Sequence, residues 1–214
     1  FKTIQKKYET KSDGLGNSET VVVEKAPCLG LCEHAPAVFI QGEEFSLDSV
    51  DTGETWQDMV GMREKYPRAK VYGENRILTR NCGRGYSTNL IDYVENDGYK
   101  ALKKVLTLPP ASVIEEVKSS GLLGRGGAAF PTGIKWEGAA KASGNPKYVV
   151  CNADEAEPGT FKDRVMMEDD PHRVIEGLII AGYAIGATKG FFYIRGEYRI
   201  PYQEINRAVK DAEN

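Results

Sequence analysis

The densest chemistry in the chain lies between Gly121 and Thr160, which reads GLLGRGGAAFPTGIKW and, after a short spacer, YVVCNADEAEPGT. Glycines let backbone N–H groups approach phosphate oxygens closely, and Lys135 adds a flexible point charge of the matching sign. Lys135 could equally be a solvated surface residue. Arg125, inside the loop, could serve a phosphate or pair with an acid outside it. Asn152, Asp154, Glu155 and Glu157 follow a short apolar strand and precede Pro158-Gly159. At the carboxyl end of a parallel strand such groups face the usual ligand crevice and can hold sugar or ribityl hydroxyls, or a nicotinamide amide. Paired carboxylates could also perform hydrolysis or bind a divalent cation, but no histidine lies near and a glycine loop precedes them. Each could instead pair structurally with Lys162 or Arg164.

A second candidate centre is APCLGLCEHAPAVF, which sets Cys28 and Cys32 around a glycine-containing loop. Two thiolates on such a loop can face one metal, and His34 could add a third ligand, but nothing adds a fourth. Two thiols without a metal are the alternative. Cys82 stands alone beside Gly83 and reads as a small packing residue. Four cysteines with no export signal fit a reducing compartment, so the expected location is cytoplasmic. The net charge of −3 is spread over both signs, which gives no nucleic-acid surface. No apolar run approaches the roughly 18 residues a membrane span needs. The chain opens on Phe1 and closes inside a helical pattern, so it reads as cut at both ends.

These residues need elements to hold them. The run ETVVVEK reads as a strand, and Ala37 to Ile40 as another that turns at Gln41-Gly42 toward Phe45. From Thr52 a helix presents Trp56, Met59, Val60 and Tyr66 on one face, and Pro67 stops it. A linker with short helical pieces at Asn89–Val94 and Gly98–Val105 follows. Ser112 and Glu115 form a capping-box pattern for the next helix, with Val113, Ile114 and Val117 inward, and Ser119-Ser120-Gly121 ends it. Gly124, Gly126 and Ala129 then give G-x-G-x-x-A. A helix leads into this loop and P-T-G follows it, whereas the ordinary dinucleotide fingerprint lies between a strand and a helix.

Lys147 to Cys151 reads as a short buried strand. Asp170-Pro171 starts a helix burying Val174, Ile175, Leu178, Ile179 and Ile185, and the chain returns through Gly186 to Gly190. Phe191 to Arg195 is a second buried strand, which completes a right-handed βαβ unit. A last helix from about Tyr202 buries Ile205, Val209 and Ala212. His172 is expected at the surface or as a cap.

The segments GLLGRGGAAFPTGIKW, VCNADEAEPGTFKDR, DPHRVIEGLIIAGYAIGA and IRGEY, with R-I-L-x-R-N-C-G and G-Y-K-A-L before them, resemble the NADH-binding FMN flavoprotein subunit of respiratory complex I and the diaphorase subunit of NAD-reducing hydrogenases. CLGLCEHAPAVF resembles the second cysteine pair of the thioredoxin-like [2Fe–2S] domain found beside or fused to these proteins. The resemblance implies an α/β fold: a partial Rossmann-like FMN/NADH-binding domain over 108–214, a linker over 72–107, and a small thioredoxin-like α+β domain over 1–71.

It also implies Gly124, Gly126, Lys135, Asn152, Asp154 and Glu155 as FMN contacts, and Gly127, Ala128, Phe130 and Glu157 as NADH contacts. Phe130 would wall the adenine, and Glu157 is the candidate catalytic residue. The implied cofactors are FMN, NAD(H) and an iron–sulfur cluster, and the implied partners are the iron–sulfur subunits of a multisubunit redox complex. A [2Fe–2S] cluster takes four protein ligands, of which Cys28 and Cys32 supply two; the family's earlier C-x4-C pair is not in this sequence. The family usually has glycine where Ala129 stands and often an aromatic where Gly138 stands. Its second flavin loop and [4Fe–4S] domain are expected beyond Asn214. A flavin-free docking or assembly module of a redox complex is the alternative.

Overall fold

The computed structural model describes residues 37–40, 43–46, 71–84 and 88–213. Strands β1 (Ala37–Ile40) and β2 (Glu43–Ser46) pair antiparallel, with Ala37 opposite Ser46 and Ile40 opposite Glu43. The turn expected at Gln41-Gly42 lies outside the described residues. The ETVVVEK strand, Cys28, Cys32, His34 and the helix expected from Thr52 lie outside the described residues.

The rest is built from α1 (Leu90–Glu95), α2 (Lys100–Val105), α3 (Pro110–Ser119), α4 (Thr132–Lys141), β3 (Lys147–Ala153), α5 (Lys162–Asp169), α6 (Pro171–Ile185), β4 (Ala187–Ile194) and α7 (Arg199–Glu213). Strands β3 and β4 run parallel, with Tyr148 opposite Lys189 and Ala153 opposite Ile194. Parallel strands need a long crossover. Here two helices supply it, α5 and α6, where the sequence pattern gives one. Helix α5 escapes apolar periodicity because three of its five buried residues are Arg164, Glu168 and Asp169. Strand β4 begins at Ala187, before the glycine expected to lie in a return loop. Gly190 sits in it because α6 packs close: a Cβ there would lie 3.2 Å from Leu178 Cδ2.

One face of the sheet is covered. Ala153, Met167, Tyr198 and Ile205 form a buried cluster with Cys151, Val174, Phe192, Ile194 and Val209 against it. A second cluster, Val105, Val113, Ile114 and Ala184, joins α2, α3 and α6, with Trp136 and Ala140 of α4 packed on it. A fully buried Ile or Met contributes about 1.5–3 kcal/mol. On the other face Tyr148, Val150, Phe191 and Tyr193 are exposed, so the strands read as fully buried are buried on one side only. Ile179 and Ala212, expected inside, are exposed as well.

Several local expectations are corrected. Helix α3 starts at Pro110, whose missing N–H is no loss in a first turn, and its N-cap Pro109 makes no side-chain bond. The Ser112–Glu115 box does not form; Glu115 pairs instead with Lys118 at 3.3 Å. His172 is fully buried, not a surface residue, with Nδ1 3.0 Å from Tyr99 Oη and its ring stacked on Tyr93. Burial holds its pKa below the usual histidine value. Glu176, on the same helix, accepts from Tyr93 Oη at 2.6 Å and from the backbone N–H groups of Tyr99 and Leu102 at 3.0 and 2.9 Å. These bonds fasten α1 and α2, read as linker, onto α6. They also hold Tyr99 in the left-handed region at φ +57°. Cys82 is fully buried and burial pushes its thiol up to about 12, which agrees with a packing role.

Gly133 is where α4 meets α3 backbone to backbone. A Cβ there would lie 2.4 Å from Lys118 Cγ and 2.5 Å from Lys118 N. Gly133→Ala is therefore expected to lower stability by about 3 kcal/mol. Gly138→Ala, in the same helix but facing open space, is expected to raise it by up to about 1 kcal/mol. Urea denaturation of the two variants checks the contrast.

Candidate functional site

The glycine loop is closed at its neck. Leu123 bridges Pro131, Gly124 N donates to Phe130 O at 2.9 Å, and Thr132 N donates to Leu122 O at 2.9 Å. Its glycines have different reasons to be glycine. Gly124 packs close, since a Cβ would lie 3.4 Å from Phe130 O, and Gly127 has φ +110°. At Gly126 φ is not in the left-handed region and no protein atom lies within 4 Å of an added Cβ. Neither packing among the described residues nor a positive φ demands glycine there. The N–H groups of Gly126, Gly127 and Ala128 are exposed and have no acceptor among the described residues.

Helix α4 leaves the loop directly, with Pro131 as N-cap and no side-chain cap; of its first-turn N–H groups, Thr132 N is taken by Leu122 O. The P-T-G expected to break the fingerprint thus begins a helix, while α3, not a strand, leads in. Lys135, in the second turn of α4, is exposed and makes no ion pair among the described residues. Phe130 is 54% exposed at the rim.

The second group stands where β3 ends. Asn152 Oδ1 accepts from Asp154 N at 3.1 Å, and Glu157 O accepts from Thr160 N at 3.1 Å across Pro158-Gly159, with Gly159 at φ +87°. The side chains of Asn152, Asp154 and Glu157 are exposed. Glu155 turns the other way and is 2% exposed. Its Oε1 accepts from Asp163 N at 3.0 Å, and its Oε2 accepts from Arg164 N at 3.1 Å and Tyr198 Oη at 3.4 Å. A ligand would have to displace these bonds to reach it. Arg195, one residue beyond β4, donates from Nη1 to Glu155 O at 2.9 Å and lies over the Tyr198 ring at 5.5 Å.

Asn152, Asp154 and Glu157 thus share one turn, and the glycine loop shares a corner with Lys135. No hydrogen bond or ion pair joins the two groups among the described residues. Arg195 and Tyr198 are the residues the sequence reading passes over; both stand in IRGEY, where a cation straight after a buried strand must find a partner. Among the described residues no three His, Cys, Asp or Glu side chains gather as a metal site.

A parallel strand pair that ends in an amide and carboxylates, with a loop of backbone N–H groups that have no acceptor among the described residues beside a helix start, is an α/β arrangement with the groups a nucleotide would need. The comparisons are more specific. Residues 117–214 match the model of the Nuo51 FMN-binding domain family. It is 53% identical over 137 residues to the NADP-reducing hydrogenase subunit HndC of Solidesulfovibrio fructosivorans, which covers 64% of this chain and 28% of that protein. It is 50% identical over 137 residues to an NADH-quinone oxidoreductase subunit of Rhizobium meliloti, covering 64% and 32%. It is 46% identical over 145 residues to an NADH-quinone oxidoreductase subunit of Aquifex aeolicus, covering 67% and 34%. The chain therefore spans about a third of the length of the curated relatives it matches. Among solved structures it resembles an NAD+-reducing [NiFe]-hydrogenase in the air-oxidized state, with TM-score 0.61 and 30% identity over 86% of this chain and 32% of that one.

The residues present fit a phosphate-bearing group such as FMN. The free N–H groups, the room beside Gly126 and the open cation Lys135 all ask for an anion. One departure from the family has a local cost: Ala129 sits at φ +50°, where the usual glycine is unstrained. The left-handed penalty of about 1–2 kcal/mol exceeds glycine's extra entropy cost of about 0.5–1. Ala129→Gly is expected to raise stability by about 0.5–1 kcal/mol, read as a higher urea midpoint.

Proposed function

We propose that this chain is part of an NADH:acceptor oxidoreductase subunit, an NADH dehydrogenase flavoprotein with diaphorase activity. The observation that carries the reading is the loop around Gly126, whose glycine the protein itself does not need and whose N–H groups it leaves unclaimed. Gly124, Gly126 and Lys135 hold the FMN phosphate, and Asn152 and Asp154 hold its ribityl and ring polar groups. Gly127, Ala128, Phe130 and Glu157 receive NADH. Phe130 offers a flat apolar wall to the adenine and keeps water from it, while the Glu157 carboxylate accepts from ribose hydroxyls and orients the nicotinamide end. Bound FMN supplies the redox chemistry, taking hydride from NADH and releasing electrons singly.

Iron–sulfur centres of partner subunits in a multisubunit redox complex, on its cytoplasmic side, would be the acceptors of those electrons. No helix among the described residues is long and apolar enough to cross a membrane. The resemblance assigns residues 1–71, most of which lie outside the described residues, to a partial thioredoxin-like ferredoxin domain and 108–214 to the first part of the FMN/NADH-binding domain, with α1 and α2 of 72–107 fastened onto the latter through Glu176. Cys28 and Cys32 are two of the ligands an iron–sulfur cluster there would need.

A visible absorption spectrum of the full-length protein tests the reading against a flavin-free docking module, which would show no flavin bands. Within the full-length protein, Lys135→Ala is expected to weaken FMN retention about tenfold, the loss of one charge-assisted bond. Flavin content after gel filtration measures it, and unchanged occupancy removes Lys135 from the phosphate site. Glu157→Gln is expected to raise KM for NADH several-fold with kcat little changed. Steady-state kinetics with ferricyanide as acceptor check this.

A further inference from the structure

Glu155 has the position of a ligand contact and the environment of a foundation. It lies between two exposed site residues, Asp154 and Glu157, yet its side chain is buried and both of its oxygens are engaged. Helix α5 explains why. Its N-cap, Phe161, has no side chain able to accept the N–H groups of the first turn. The positions a capping Ser or Asp would serve are the second and third N–H groups. Here these belong to Asp163 and Arg164, and Glu155 takes both, one on each oxygen.

The cap therefore comes from a residue before the helix and across the turn, and the bond that stabilises α5 also closes residues 155–163 into a fixed loop. Lys162 Nζ lies 3.6 Å from Oε1 and adds charge on the outer side. From the segment that follows β4, Tyr198 Oη donates to Oε2 and Arg195 donates to the backbone oxygen of the same residue. Side chain and main chain of Glu155 are thus anchored to two different elements, which leaves the turn one way to point Asp154 and Glu157.

We propose that Glu155 is a positioning residue: its carboxylate serves as the missing cap of α5 and, tied to Tyr198 and Arg195, sets the turn that presents Asp154 to the flavin and Glu157 to the nicotinamide nucleotide. This rests on the flavoprotein reading above. It separates the three acids of D-E-A-E into one that faces inward and two that face the ligands.

The test uses the full-length protein carrying Glu155→Gln, first stripped of flavin. Amide hydrogen exchange at Asp163 and Arg164 is expected to quicken about tenfold, the effect of losing a helix cap, with α6 amides unchanged. Titration with FMN is then expected to give a Kd raised about tenfold. Tyr198→Phe is expected to have a smaller effect on both readings and, combined with Glu155→Gln, to add almost nothing. Should Glu155→Gln fail to fold, Tyr198→Phe alone carries the test through the same two measurements. Unchanged exchange with weaker FMN binding would make Glu155 a direct ligand contact and overturn the proposal. Faster exchange with unchanged FMN affinity would overturn it too, by leaving only a structural cap. An unmodified protein that binds no FMN would remove the flavoprotein reading, and with it any positioning toward flavin, a result distinct from both.

Discussion

Two strands that run the same way cannot be joined by a tight turn, and the layout of residues 147–213 follows from that restriction on β3 and β4. The crossover must travel back along the sheet, so α5 and α6 lie between the strands in sequence. Both carboxyl ends then fall at one edge, with Ala153 opposite Ile194. The chain leaves that edge twice, through the acidic turn and through Arg195 to Tyr198. Because the two exits are neighbours, a cation and a phenol from the second can reach the backbone and carboxylate of the first. The register of the strands is what makes that tie available.

The interior around these exits is unusually polar. Arg164 and Glu168 are buried and paired at 2.9 Å, Asp170 is buried beside Arg173 at 3.7 Å, and Glu176 takes three donors from α1 and α2. Burial pushes Asp170 up to about 6, because the charged form loses its water while Arg173 only partly offsets that loss. Replacing such groups by hydrocarbon could give an equally stable interior, so their value is directional. Glu176 accepts bonds from named atoms of two other stretches, whereas the Arg164–Glu168 pair lies within α5 and the Asp170–Arg173 pair within the start of α6.

Much of this was legible in the residues. The strand at Ala37–Ile40, the glycine loop behind a helix, the start of α6 at Asp170-Pro171 and the two parallel strands all follow from turn chemistry and apolar runs. What was not legible depended on contacts between distant residues. Helix α5 hides because its inward side chains are charged, and a lone His172 gives no sign that Tyr99 waits for it. In D-E-A-E the alternation does not say which acid turns inward; that is settled by Tyr198, 43 residues later. The residues proposed to face ligands follow from family resemblance, and the geometry adds which of them are exposed.

The uncovered side of the β3–β4 pair bears on how the protein behaves in the hand. Val150 stands beside Phe191 in register, Tyr193 beside Asn152, and the Tyr148 and Phe191 rings are 5.8 Å apart, so the exposed side chains form an apolar stripe. Water in contact with such a stripe is displaced at a gain of about 25 cal/mol per Å². Exposed apolar area of this kind favours association, and salting-out anions such as sulfate strengthen that tendency. Ionic composition and concentration thus become variables that any spectrum or titration of the protein has to hold fixed.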